Sequence, residues 1–285
     1  MEKIKNWWKN LSRKNKILWS LAVIVFITAW YLLIMWWSVW SWDYVDSGLS
    51  SEQDYFKSCD IVAVSIQGDI VGHSSEAENG DDSTIVSAED AVYTLGLIDK
   101  ENPPVVMLDI TSLGGAPAPS KELADFVAQM KTPVVTSIRE AGLSGGYYIA
   151  SQSDEIFASP FSDIGSIGVS MSYLDESRLN EKEGYTWNSL STGKFKDSGS
   201  PEKPLTKEER ALFERDLKII HDTFVADVAR GRNIPIEKVR QIADGSSVMP
   251  EKALELKLID GIKHQWEVIE YLKEKYNTGD EICWE

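Results

Sequence analysis

Residues 17–42 form a run of 26 positions without a charged side chain. This run limits what the chain can fold into more than any other feature. About 20 apolar residues in helical form span the hydrocarbon core of a bilayer. Backbone polar groups there must be satisfied within the segment, so the run reads as one transmembrane helix. Lys3, Lys5, Lys9, Arg13, Lys14 and Lys16 precede it against a single Glu2, whereas Asp43 and Asp46 follow it. The positive-inside rule then makes residues 1–16 a cytoplasmic tail and places the chain from Asp43 onward outside the cytoplasm, on a plasma or inner membrane. Trp7 and Trp8 on one side, and Trp36, Trp37, Trp40 and Trp42 on the other, suit the two interfaces. A cleaved signal peptide is the competing reading. Bulky tryptophans stand where small cleavage-site residues are required, which favours an uncleaved anchor. A core helix of a soluble domain is disfavoured because the run is apolar all round.

The formal net charge is −16 while the tail is basic, so the outer part is more acidic still. Such a surface argues against nucleic acid as a partner. Cys59 and Cys283 are too few for a zinc site and are free to form one disulfide outside the cytoplasm. The expected division is tail 1–16, anchor 17–42, polar linker 43–59 and one domain over 60–285. Within that domain, β-branched runs at 60–66, 104–110 and 133–138 alternate with helical patterns at 87–100 and 120–130. Shorter strands are expected at 154–158 and 167–171. Alternating strands and helices imply right-handed βαβ units and a layered α/β body. The acidic segment 74–83 has no periodicity and reads as a mobile loop. Residues 186–192 read as extended, 193–200 as loop, 206–230 as a long helix, and 236–242, 250–256 and 264–276 as shorter helices.

The chemistry centres on Ser144. The β-branched run 133–138 ends just before it, and a helix-like run begins at Gly146. Gly142, Gly145 and Gly146 surround it, as a sharp strand-to-helix turn requires. A serine there presents its Oγ at a helix N-terminus, where developing negative charge is favoured. A glycine-rich turn that only packs a helix on a sheet has the same pattern. A nucleophilic serine needs a base. The chain has three histidines, His73, His221 and His264, none in a turn of catalytic type. Lys194 and Lys196 lie in a glycine-flanked loop on either side of Phe195. A lysine acts as a base only when neutral, which burial favours; a solvated loop is its ordinary fate.

Three ordered blocks, Gly142-Leu-Ser-Gly-Gly-Tyr-Tyr-Ile-Ala150, Gly165-Ser-Ile-Gly168 and Gly193-Lys-Phe-Lys-Asp-Ser-Gly-Ser-Pro201, resemble the signal peptide peptidase A family of membrane serine proteases. So do Phe224-Val-Ala-Asp-Val-Ala-Arg-Gly-Arg232 and Ala253-Leu-Glu-Leu-Lys-Leu-Ile-Asp260. The resemblance runs from about residue 60 to about residue 262. It implies a crotonase- and Clp-protease-like β–α superhelix with a Ser/Lys dyad. By motif, Ser144 is then the nucleophile, Lys196 the general base and Ser166 the residue that orients the lysine. The oxyanion hole falls to backbone N–H groups of Gly114, Gly115 and Gly145. The family usually has Asn-Ser-Pro-Gly-Gly at the oxyanion turn, where this chain has Thr111-Ser-Leu-Gly-Gly115. The glycines remain, while Thr111 and Leu113 replace the asparagine and the proline. The resemblance also implies apolar peptide substrates such as cleaved signal peptides, no metal or cofactor, and a ring of identical subunits. Two rivals stay in view: an α/β-hydrolase-type esterase using Ser144 with His264, and a membrane scaffold that has lost activity.

Overall fold

A computed structural model describes residues 12–73 and 85–285. Residues 1–11 of the expected tail, and the acidic segment 74–83, therefore lie outside the described residues. The chain divides into two compact units, Met1–Tyr55 and Phe56–Glu285.

The first unit holds most of helix α1, Arg13–Lys57. Its stretch Arg13–Trp37 is long and apolar enough to cross a membrane. Its side chains over 17–37 are exposed all round, as expected of a segment whose solvent is lipid. Residues 43–57, within the expected polar linker, continue α1 as helix. No proline falls between residues 13 and 57, and polar residues lower helix propensity without ending a helix.

The second unit is a mixed α/β body built on one sheet. Its strands are β1 Ile61–Val71, β2 Ile85–Ser87, β3 Val106–Gly115, β4 Val134–Leu143, β5 Glu155–Ala158, β6 Asp163–Gly165, β7 Ser247–Val248, β8 Gly261–Ile262 and β9 Ile282–Trp284. The main path runs β2-β1-β3-β4-β5-β8, with every pair parallel. β9 joins the lower part of β1, and β6 joins the upper end of β4, also in parallel. Parallel strands need crossovers. These are α2 Ala88–Glu101, α3 Pro117–Val127 and α4 Gly145–Ala150. Further on come α5 Ser177–Lys182, α6 Lys207–Gly231, α7 Ile236–Ile242, α8 Pro250–Glu255 and α9 Gln265–Tyr276.

Strands covered on both faces are apolar at successive positions, and β1 shows it: Val62, Val64 and Ile66 point into the larger core with Leu95, Leu123 and Phe224. Ile61 and Ala63 point to the other face, under Val268 and Leu272 of α9. Cys59 is bonded to Cys283, which fastens the chain two residues before β1 to the strand beside it. The strand expected at 167–171 is a correction. The strand is β6, ending at Gly165. Gly165 and Ser166 have φ of 97° and 49°, a left-handed pair that ends an extended strand.

Candidate active site

β3 and β4 break register between Ile110 and Ser112, and β1 and β3 do so between Gln67 and Asp69. Such irregularities bend strands and re-aim the residues beyond them. Above this level stand the turn after β3 and the turn after β4.

Ser144 occupies the second turn with φ 49° and ψ −118°, outside the regions open to most L-residues. It is held from both sides. Its N–H donates to Gly165 O at 2.8 Å, and its carbonyl accepts from Tyr148 N–H at 2.8 Å. The glycines around it answer to close approach. A Cβ on Gly114 would lie 2.8 Å from Ser144 Cβ, and one on Gly145 would lie 2.3 Å from Ser120 Oγ. The two turns are therefore packed backbone to side chain, and nothing larger than glycine fits between them.

The oxyanion turn differs in one respect from the expectation. Gly114 N–H donates to Ser112 Oγ at 3.1 Å, and that hydroxyl donates to Gly68 O at 2.7 Å. Gly114 thus shapes the turn, while Gly115 and Gly145 line the cavity beside Ser144. Ser112 was not singled out in the sequence; its partner Gly68 is 44 residues away. Leu113, where the family pattern has proline, is 70% exposed and also lines the cavity.

That cavity, about 560 Å³, is walled by apolar side chains of Leu113, Pro117, Val169, Ile220 and Phe224 and opens onto Ser144 and Ser166. Ser166 Oγ donates to Gly245 O at 3.0 Å, and its N–H donates to Ser246 O at 3.1 Å. Its proton is committed, so its oxygen lone pairs remain as acceptors for an incoming donor. Tyr148, Pro117 and Ile220 also border a second, apolar groove of about 920 Å³ lined by Val92, Phe126 and Ile219.

Lys196 is not at this cavity. It is exposed, within the turns of residues 193–202, and is not among the residues that line the Ser144 cavity. Its loop is nevertheless well tied. Lys194 pairs with Glu208 at 2.7 Å. Lys203 bridges Asp197 at 3.5 Å and Glu209. Lys203 and the Thr206 cap hold the Glu209 carboxyl down to about 2. Among the described residues, no carboxylate pairs with Lys196. The segment leading to it, residues 169–192, carries exposed Met171, Leu174, Tyr185, Trp187 and Leu190, the last 99% exposed.

Of the histidines, His221 lines the Ser144 cavity, with Nε2 2.9 Å from Ala243 O. A carbonyl only accepts, so Nε2 carries the proton. His73 pairs with Glu89. His264 caps α9 and is not among the residues lining the cavity. The structure therefore does not bring together the pair that the esterase rival needs.

The family profile described as peptidase family S49 matches residues 127–278. A protein of Enterococcus faecium provisionally named signal peptide peptidase SppA is 35% identical over 178 residues, covering 61% of this chain and 52% of that protein. A protein of Methanocaldococcus jannaschii provisionally named a protease is 31% identical over 198 residues, covering 67% of this chain and 64% of its own length. A chloroplastic serine protease, SPPA, of Arabidopsis thaliana is 32% identical over 146 residues, covering 51% and 22%. The matches thus span less than two thirds of each relative. Among solved structures, a point mutant of ClpP1 from Listeria monocytogenes superposes with a TM-score of 0.47 and 13% identity, covering 72% of this chain and 92% of that one.

Proposed function

This chain belongs to peptidase family S49, and on that premise we propose that it is a membrane-anchored serine endopeptidase using Ser144 and Lys196. The observation that carries the reading is the held, strained Ser144 sharing one cavity with Ser166, with no lysine among the described residues that line it, while Lys196 stands exposed on a braced loop. The two halves fit if the lysine enters from an adjacent copy. The exposed apolar arm at 169–192 supports this, because such a surface is ordinarily covered.

The steps derive from the groups present. Neutral Lys196 accepts the proton of Ser144 Oγ as Oγ attacks the scissile carbonyl carbon. The carbonyl π pair moves to oxygen, and backbone N–H groups of Gly115 and Gly145 receive that oxyanion. Collapse breaks the C–N bond, and the lysine returns its proton to the leaving amine. The same lysine then takes a proton from water as the water oxygen attacks the acyl carbon, and passes that proton to Ser144 Oγ as the C–O bond to the serine breaks, which restores both groups. Ser166 Oγ, its own proton given to Gly245 O, accepts from the lysine and orients it. The apolar part of the cavity wall, Leu113, Pro117, Val169, Ile220 and Phe224, suits the apolar side chains of a peptide, and the substrates proposed on the family resemblance are signal peptides left in a bilayer after cleavage. Helix α1 holds the domain at that surface, with the basic tail inside and the domain outside. A disulfide between Cys59 and Cys283 accords with an oxidising compartment.

The test is complementation. Ser144→Ala and Lys196→Ala chains are each expected to be inactive. Mixed in equal amounts with subunit exchange verified, they should regain roughly a quarter of wild-type sites, since a site then needs serine from one chain and lysine from its neighbour. Persistent zero activity means the dyad is not shared between copies. Full activity of Lys196→Ala alone removes the lysine from the mechanism.

A further inference from the structure

Asp227 takes no part in the steps above, yet its carboxylate is the meeting point of three helices. It is 5% exposed. Tyr148 of α4 donates its hydroxyl to Oδ2. Lys121 Nζ of α3 lies 3.3 Å from the same oxygen, and Arg230 of α6 reaches Oδ1 at 2.6 Å. Gln152, just beyond α4, donates to the Asp227 carbonyl at 3.3 Å. Each of these helices succeeds one of the loops in the proposed chemistry. α3 starts two residues after Gly115, α4 starts directly after Ser144, and α6 comes after the Lys196 loop.

This convergence matters because of how Ser144 is held. A non-glycine residue in a sparsely populated backbone region is strained and persists only where its surroundings over-determine it. α4 has six residues, too few to be stiff by its own hydrogen bonds. Its rigidity comes from its side chains. Tyr147 OH donates to Leu258 O at 2.8 Å. The Tyr148 ring stacks on Phe224 with centroids 4.4 Å apart. The Tyr148 hydroxyl ends on Asp227, which also takes Lys121 of α3 and so adds a polar tie to the direct packing of Gly145 against Ser120. Tyr148 N–H in turn holds the Ser144 carbonyl. Asp227 is buried while its partners Lys121 and Arg230 remain 39% and 63% exposed, and ion pairs with exposed partners contribute little net stability as a rule, so its position behind the nucleophile points to positioning rather than to stability.

We infer that Asp227 is a positioning residue, whose carboxylate, by holding Tyr148 and Lys121 together, fixes the Ser144 turn against the oxyanion turn. Burial alone pushes the Asp227 carboxyl up; the Tyr148 hydroxyl and the Lys121 and Arg230 charges outweigh it and hold the group below the usual range. It is therefore a carboxylate throughout the neutral range.

The inference rests on Ser144 being the nucleophile, and the experiment separates the two. Full-length wild-type, Ser144→Ala, Asp227→Ala, Asp227→Asn and Tyr148→Phe chains are purified in detergent. Active serines are titrated with a fluorophosphonate probe, and kcat and KM are measured on one apolar peptide substrate. Asp227→Ala is expected to lower kcat per titrated site about a hundredfold with KM within about twofold, the signature of misplaced reacting groups. Tyr148→Phe, which removes one hydroxyl, should lower kcat on the order of tenfold. Asp227→Asn, which still offers Tyr148 an acceptor, should fall between Asp227→Ala and wild type. Wild-type kcat in Tyr148→Phe, or a loss confined to KM, overturns the inference even where Asp227→Ala does not fold. Wild-type activity in Ser144→Ala overturns the functional reading itself. An inactive Ser144→Ala beside a fully active Tyr148→Phe overturns only the role of Asp227.

Discussion

Lys194 and Lys196 are two positions apart, and the structure treats them differently. Lys194 is committed to Glu208, whereas Lys196 has no carboxylate partner among the described residues. Lys196→Ala should therefore abolish turnover as Ser144→Ala does, and Lys194→Ala should keep activity within about threefold, since exposed ion pairs contribute little. Turnover on an apolar peptide decides it; an inactive Lys194→Ala beside an active Lys196→Ala reverses the assignment. His221 is the histidine that shares the cavity with Ser144. His221→Gln keeps a donor for Ala243 O and should retain most activity. A loss as deep as that of Ser144→Ala would make His221 the base. The sharp turn at Ser144 was legible in the sequence because the local glycine pattern marks such turns, whereas Ser166, Gly114 and Gly115 were singled out only through the family resemblance. Ser112 and Asp227 were not legible, because the partners that give them meaning lie 44 and 79 residues away.

Helices were read well where their ends carry local signals. α6 begins at a Thr206–Glu209 capping box, a pairing visible three residues apart in the sequence. Strand ends were read less well: β6 stops where Gly165 and Ser166 turn left-handed, and left-handed backbone at a serine has no sequence mark. The same α6 yields two expectations. At its far end, a Cβ on Gly231 would lie 2.1 Å from Ser151 O. Gly231→Ala should force α6 away from the residues after α4 and destabilise the domain by about 1–3 kcal/mol, measured by denaturant unfolding; an unchanged midpoint would show that the contact yields freely. At its near end, Glu209 is held well below its ordinary 4.5 by Lys203 and Thr206. A carboxyl depressed in the folded state stabilises above its unfolded pKa and loses that contribution as pH falls toward about 2. Wild-type thermal stability should thus contain a component that declines from about pH 4.5 to about pH 2. Glu209→Gln should lack that component and be less stable at pH 6. Parallel pH curves for the two proteins would remove Glu209 as the source.

The body of the molecule was legible as alternating strands and helices, since strand and crossover periods are written locally. The route of the chain out of α1 was not, because a polar stretch without proline is compatible with linker and helix alike. The pairing of Cys59 with Cys283 was left open for a similar reason: 224 residues separate them, and only the placement of β9 beside β1 brings them together. Replacing both by serine should cost about 2–5 kcal/mol, read as a lowered midpoint of unfolding; an unchanged midpoint would mean that β9 holds itself. The bond also changes what a cut would do. Among the described residues of the domain, the arm at 169–192 carries many exposed side chains and, wherever no second copy covers it, is open to another protease. A nick there severs the backbone but not the molecule, because residues 59 and 283 still join the two fragments. The carboxyl-terminal piece, with the Lys196 loop, would stay tethered through sulfur to the piece that holds Ser144 and the apolar helix α1. Such a nicked protein should run as one species on a gel without reductant and as two with it, and damage to the arm would leave the serine and lysine halves joined.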